Sequence, residues 1–178
     1  MTKLAVLVTA LAVSSVANAT TYKVADGSQV GFLARITGGT FTATNKAVSG
    51  HLGADENGVV TEGAIIVKAD AFSTGIGMRD SHMREKYLEA SKCPVIALDL
   101  KGATLPTSGE AEVEGTMEAH CVKKPLKVRV KVVESGGVYT ASSNFPLDIT
   151  QFGIPQPKMA VVKMDPTIDV TVSLRFTK

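Results

Sequence analysis

The chain has 178 residues, with 19 basic and 17 acidic side chains, six Phe, three Tyr and no Trp. No basic cluster with interleaved aromatics is present, so nucleic-acid binding has no support. Charge is nearly balanced, and an interior must be built mainly from aliphatic side chains and methionines.

Residues 1–19 read as a secretory signal peptide. Lys3 is a minimal positive region, Leu4 to Val13 is an apolar run, and Ala17-Asn18-Ala19 is a small-residue cleavage site. A hydrophobic first strand fits that pattern less well. The run is too short to span a bilayer, and no later stretch comes near that length. The mature chain, 20–178, is then expected to be one soluble exported domain without a transmembrane segment. Lys3 leaves with the leader, so 18 basic side chains face 17 acidic ones.

Strands are expected at Tyr22–Val24, Gln29–Ile36, Thr40–Thr44, Val48–Asp55 and Gly63–Ala69. Turn signals separate them at Asp26-Gly27, Gly38-Gly39 and Asn57-Gly58. The stretch Thr74–Pro94 breaks the pattern and reads as a loop followed by one helix. Asp80 or Ser81 is the expected N-cap. Met83, Tyr87 and Ala90 recur on one face at helical spacing, with Arg84, Glu85, Lys86 and Glu89 facing solvent. Pro94 biases Cys93 away from helical geometry, so the helix should end by Lys92. At roughly three turns it is too short to persist alone in water and must lie on the sheet.

A strand Pro94–Lys101 and a turn at Pro106 to Gly109 lead into the clearest alternation in the chain. From Ala111 to Ala119, the row Ala111, Val113, Gly115, Met117, Ala119 alternates with Glu110, Glu112, Glu114, Thr116, Glu118. From Leu126 to Val132, the row Leu126, Val128, Val130, Val132 alternates with Lys127, Arg129, Lys131. Period-two alternation of this kind means one buried face and one wet face. The two runs, joined by His120 to Pro125, should pair with the Glu row beside the Lys/Arg row. Exposed pairs of this type contribute only tenths of a kcal/mol, up to about 1, so their main effect is on register. Gly136-Gly137 marks another turn, followed by a strand Gly137–Pro146 and a last one from Thr167 to Phe176. Many short strands with such turns indicate an all-β sandwich or barrel.

Several segments resemble, in order, the YceI-like, polyisoprenoid-binding family. They are Tyr22-Lys23-Val24, then Arg79-Asp80-Ser81-His82-Met83, the strand start Cys93-Pro94, the run from Gly115 through His120 and Pro125 to Leu126, and Phe152-Gly153-Ile154. The resemblance covers essentially the whole mature chain. It implies an antiparallel lipocalin-like barrel of about eight strands with one short α-helix packed on it. It also implies a periplasmic or secreted protein without cofactor or catalytic activity. The partner it implies is an isoprenoid, a quinone-like molecule or a fatty-acid-like lipid. Cys93-Pro94 stands where the family often has Tyr-Pro, and His120-Cys121 where it has His-Gly. Asp148 to Gly153 lacks the Arg and Asp of the family's Asn-Arg-x-Asp-Phe-Gly segment.

If the interior holds such a ligand, Phe32, Met78, Met83, Tyr87 and Ile96 are expected to line it, together with Leu98, Met117, Val128, Phe145 and Phe152. Each of these also fits an ordinary core, as do Met159 and Met164. Arg79 and His82 are the candidates for a polar head group. Arg79-Asp80-His82 has the composition of a charge relay, but no activated nucleophile accompanies it, and a lock of the loop against the barrel is the alternative. Cys93 and Cys121 are equidistant from residue 107 in the Pro106–Gly109 turn, which brings them within reach of a disulfide. Alternation opposes this, because it points Cys93 outward and Cys121 inward, so bonded and free thiols both stand open. His82, His120, Cys93 and Cys121 match no standard zinc spacing, and no metal is expected. An enzyme acting on a lipid, a filled structural barrel and a thiol-redox protein remain as rival classes.

Overall fold

The computed structural model describes residues 19–159 and 161–178. The expected signal peptide lies outside the described residues, apart from Ala19. The strands are β1 (Thr20–Val24), β2 (Gln29–Ile36), β3 (Gly39–Asn45), β4 (Val48–Ala54), β5 (Val60–Lys68), β6 (Val95–Asp99), β7 (Gly109–Ala119), β8 (Val122–Ser135) and β9 (Val138–Asp148). The last three are β10 (Lys158–Met159), β11 (Val162–Lys163) and β12 (Thr167–Thr177), and the one α-helix among the described residues is α1 (Gly77–His82).

The fold is all-β. Strands β1, β4, β5, β6, β7, β8, β9 and β12 close an antiparallel barrel of eight strands, with β12 returning to β1. Along one edge β12 pairs with β9 over its whole length, from Thr167 opposite Asp148 to Thr177 opposite Val138. Its other edge is divided. Residues Asp169–Ser173 pair with β2, and only Phe176 and Thr177 pair with β1. At one end the hairpin β2–β3 therefore takes over the wall. The outer edge of β3 is joined to the segment before α1 by two 2.9 Å backbone hydrogen bonds between Thr44 and Ser73. The buried core divides along β12 in the same way. Ile168 and Val170 pack with Phe152, Ile154 and Met164, whereas Leu174 and Phe176 pack with Leu52, Val60 and Val113.

The β7–β8 ladder has Glu114 opposite Lys127 and Glu118 opposite Lys123. The Lys127 ammonium reaches both Glu112 (2.6 Å) and Glu114 (2.8 Å), and these contacts push its pKa well above the ordinary lysine value. The link between the strands is shorter than the expected His120–Pro125. It is a two-residue turn, His120-Cys121, with both φ positive (49° and 59°), and β8 resumes at Val122. That is the geometry of a two-residue hairpin turn, which Asn and Gly usually supply.

The helical segment also departs from expectation. It begins at Gly77, not Asp80 or Ser81, runs as α-helix to His82, and continues as a wider π turn over Met83–Tyr87. It ends at Leu88, because Glu89 takes a left-handed conformation (φ 44°) and the Ala90 N–H donates back to the Arg84 carbonyl. Asp80 is not the cap of its own helix. Its carboxylate turns back to hold the preceding loop. Short hairpin β10–β11 had no sequence signal, since two-residue strands are too brief for alternation.

Gly50 (φ 126°) and Gly63 (φ 97°) allow β4 and β5 to approach closely. A Cβ on Gly50 would lie 2.1 Å from the Ala64 carbonyl oxygen, and one on Gly63 would lie 2.1 Å from that of His51. Both positions need the left-handed half of φ space, which glycine alone enters freely. Gly50→Ala or Gly63→Ala should each cost at least about 2 kcal/mol. Gly39→Ala, whose added methyl meets nothing within 4 Å, should be nearly neutral. Urea denaturation midpoints of the three variants check this.

Candidate functional site

The inward rows of the barrel do not fill it. They leave two adjoining chambers. The larger, about 420 Å³, lies at the β2–β3 end beneath the helical segment. The smaller, about 190 Å³, lies toward the β1 end. Val30, Val67, Ile96, Met117 and Val170 border both, forming a waist between them. The larger volume falls in the range typical of small-molecule pockets.

All ten side chains named as candidate lining residues border this space. Phe32, Met78, Met83, Tyr87 and Phe152 border the larger chamber, Leu98, Val128 and Phe145 the smaller, and Ile96 and Met117 the waist. Met78 is 73% exposed and stands on the rim, not in the interior. Other aromatic contributors were harder to foresee. Phe41 sits on the inner row of β3 and packs edge-on to Phe32 at 6.2 Å. Phe72 lies in a connecting loop without periodicity, and its ring packs against Phe32 at 5.7 Å. Tyr22 and Tyr139, which border the smaller chamber, meet edge to face at 5.3 Å, and the exposed Lys178 ammonium, outside the lining, lies 5.9 and 5.5 Å from their ring centroids.

Charge in the larger chamber is one-sided. Arg79, Lys158 and His82 border it, and no carboxylate does. The Arg79 guanidinium stacks over the Phe41 ring at 4.3 Å, which holds it at the wall through its attraction to the ring face. Arg79, Asp80 and His82 do not form a relay. The Asp80 carboxylate accepts from the Thr74 N–H (2.7 Å), the Thr74 hydroxyl (2.6 Å) and the Ser73 hydroxyl (2.8 Å). The Thr74 hydroxyl is the main cause holding its pKa below the usual carboxylate value. Because Ser73 is bridged to β3, Asp80 fastens the helical segment to the wall.

The other end of that segment is fastened by Cys93 and Cys121, whose sulfur atoms are bonded across a Cα–Cα distance of 5.4 Å. The alternation argument fails because neither residue lies in a strand. Cys93 precedes β6, and Cys121 is in the tight turn. The β6–β7 register also differs by one residue from the symmetric one, with Leu98 opposite Met117. Beside the disulfide, the two ring nitrogens of His120 lie 3.1 Å from the Phe152 carbonyl oxygen and 3.1 Å from the Glu89 carboxylate. Both partners offer acceptor oxygens, and the tautomer decides which ring nitrogen donates. The Lys92 ammonium also binds Glu89, and with His120 it lowers the Glu89 pKa. Among the described residues no group of three His, Cys, Asp or Glu side chains is arranged to hold a metal.

Access is possible at two places. One is the mouth of the larger chamber, where the exposed Ile76, Met78 and Lys158 border it together with Pro157 and Val162. The second is a slit in the wall. Strands β8 and β9 pair only from Lys131–Ser135 to Val138–Ser142 and then diverge. The Ser143 hydroxyl donates to the Arg129 carbonyl across the gap (2.7 Å), and Leu126, Val128 and Phe145 border the smaller chamber there.

A closed antiparallel barrel with an apolar lumen is a lipocalin-like fold suited to a hydrophobic ligand. The YceI-like domain profile matches residues 22–176, and the chain belongs to that family. Its fold is similar to a polyisoprenoid binding domain from Saccharophagus degradans implicated in plant cell wall breakdown (TM-score 0.73, 16% identity, 88% of this chain and 97% of that one). It is also similar to BcnA of Burkholderia cenocepacia (TM-score 0.70, 14% identity, 83% and 95%). A third similar structure is the Campylobacter jejuni YCEI protein (TM-score 0.63, 14% identity, 76% and 84%). No curated protein sequence matches the chain.

Two outcomes follow for the fastenings. The folded Asp80 pKa is depressed, so its contribution to stability is complete above the ordinary carboxylate pKa of about 3.9 and disappears as pH falls through the folded value. Asp80→Asn should therefore be less stable than wild type at pH 7, with the two converging in acid, as read by denaturation at both pH values. Opening the Cys93–Cys121 loop, whose ends are 28 residues apart, should cost about 3–4 kcal/mol. Denaturation of the Cys93→Ser/Cys121→Ser double variant measures this, and thiol counting of the wild type should find no free thiol.

Proposed function

We propose that this protein is a non-catalytic carrier that binds an isoprenoid, quinone-like or comparable long-chain amphiphile in the barrel and transports or sequesters it in the periplasm or outside the cell. The single observation that carries this reading is the distribution of polarity in the lumen. Two adjoining chambers are walled mainly by hydrocarbon, and of the lining side chains the charged ones, Arg79 and Lys158, border only the larger. The hydrophobic effect is proportional to area and has no direction. Each methylene taken from water contributes about 0.8 kcal/mol, so the walls supply affinity. The cations and His82 supply an orientation, with the polar head at the larger chamber and the tail past Met117 into the smaller.

The similarity to a polyisoprenoid binding domain supports the ligand class. Export is supported by the signal pattern of residues 1–19 and by the bonded cysteine pair, because disulfides persist in oxidising compartments.

Organic extraction of the purified mature protein, followed by mass spectrometry, should recover a long-chain lipid. In displacement titrations with prenyl alcohols of increasing length, affinity should rise about fourfold per buried methylene until both chambers are filled. Met117→Phe, which narrows the waist, should weaken long chains selectively and leave short ones nearly unchanged. Failure to recover lipid, together with failure to take up prenyl, quinone or fatty-acyl chains, would refute the carrier reading.

A further inference from the structure

Among the described residues, five large apolar side chains are conspicuously exposed: Ile76, Met78, Val95, Val133 and Val161. Two of them border the larger chamber, and a third adjoins in sequence a residue that does. Ile76 (51% exposed) and Met78 (73%) stand at the larger chamber's mouth. Val161 (85%) is at the tip of hairpin β10–β11, whose Lys158 and Val162 also border the larger chamber.

The charges beside the rim are also out of balance. Lys158 and Lys163 are direct cross-strand partners in β10–β11, both exposed, and neither has a salt-bridge partner among the described residues. Like charges placed opposite each other cost stability unless an anion lies between or above them. The nearest carboxylates in sequence are engaged elsewhere. Asp165 accepts from the Thr167 N–H (2.8 Å), and Asp169 is paired with Arg35. Apolar tips inserted among unpartnered cations are what an interfacial surface needs to enter the headgroup layer of an anionic bilayer.

We infer that the mouth of the larger chamber docks on an anionic lipid bilayer, with Ile76, Met78 and Val161 inserted and Lys158 and Lys163 against the headgroups. The chamber then faces the membrane directly, and a chain passes between bilayer and barrel without crossing water. The purpose of the docking rests on the carrier reading, whereas its geometry rests on the rim alone.

Co-sedimentation of the full mature chain with vesicles tests it. Phosphatidylglycerol–phosphatidylethanolamine vesicles should pellet the protein, and phosphatidylcholine vesicles should pellet much less. Val161→Asp should abolish pelleting, and Lys163→Gln should weaken it by about fivefold, the effect of one basic side chain at an anionic surface. Neither residue borders the lumen, so uptake of a fluorescent prenyl alcohol in solution should match wild type in both, which also shows that both fold. A wild type that takes up the probe but ignores anionic vesicles overturns the docking and leaves the carrier reading standing. Pelleting without probe uptake overturns the carrier reading alone. Unchanged pelleting of Val161→Asp overturns the assignment of this rim.

Discussion

Strand β12 cannot pair one edge with a single partner along its whole length. Its first half pairs with β2 and its last residues with β1. Each backbone donor and acceptor on a buried strand needs a partner, so this division decides the shape of the molecule. Where β1 meets β12, the barrel is tight and the chamber is small. Where β2 replaces β1, the wall swings outward and carries β3 with it. That leaves an edge to be covered, and the larger chamber lies in the space so made.

The covering element is the stretch from Phe72 to Pro94, and it is poorly equipped to stand alone. A six-residue helix followed by a π turn is far below the length at which helices persist in water. Its stability is borrowed at both ends. Asp80 holds Ser73 and Thr74, and Ser73 is stitched to β3. At the other end the disulfide ties Cys93 to the β7–β8 turn, and His120 links that turn to Glu89. Glu89, His120 and Cys121 all take positive φ. Such non-glycine conformations cost of order 1 kcal/mol or more each and persist only when the surroundings over-determine them. A covalent bond and a hydrogen-bonded contact at one spot provide that constraint.

Much of this was legible in the residues, and what was not has a physical reason. The ten long strands were visible because burial on one face imposes alternation, as in Ala111–Ala119 and Thr167–Phe176. The Glu and Lys/Arg rows were visible for the same reason, and so was the inner row containing Leu98, Met117 and Val128. Chain closure is not written in alternation, since a filled sandwich and a hollow barrel show the same period. The division of β12 is a long-range choice of partner. The helix start was misplaced because an acidic residue near a helix N-terminus has two uses, capping its own helix or reaching back to the loop before it, and Asp80 takes the second. The cysteine geometry was misjudged by treating Cys93 and Cys121 as strand residues. Phe72 went unnoticed as a lining residue because a single aromatic in a loop has no pattern around it.

The lumen also explains why the walls are built largely from aliphatic side chains, methionines and a few aromatics. A cavity that stays open must be lined by groups that lose little by lacking close partners, yet polar groups there would hold water. Hydrocarbon meets both demands but cannot tell one end of a ligand from the other. That distinction needs charge, and charge is expensive to bury without a partner. Arg79 meets the constraint by lying against the Phe41 ring at the wall, and Lys158 by remaining exposed at the rim. Among the lining side chains, charge is thus confined to the one end of the barrel that the division of β12 opens, so the backbone choice that creates the larger chamber also gives the lumen two unlike ends.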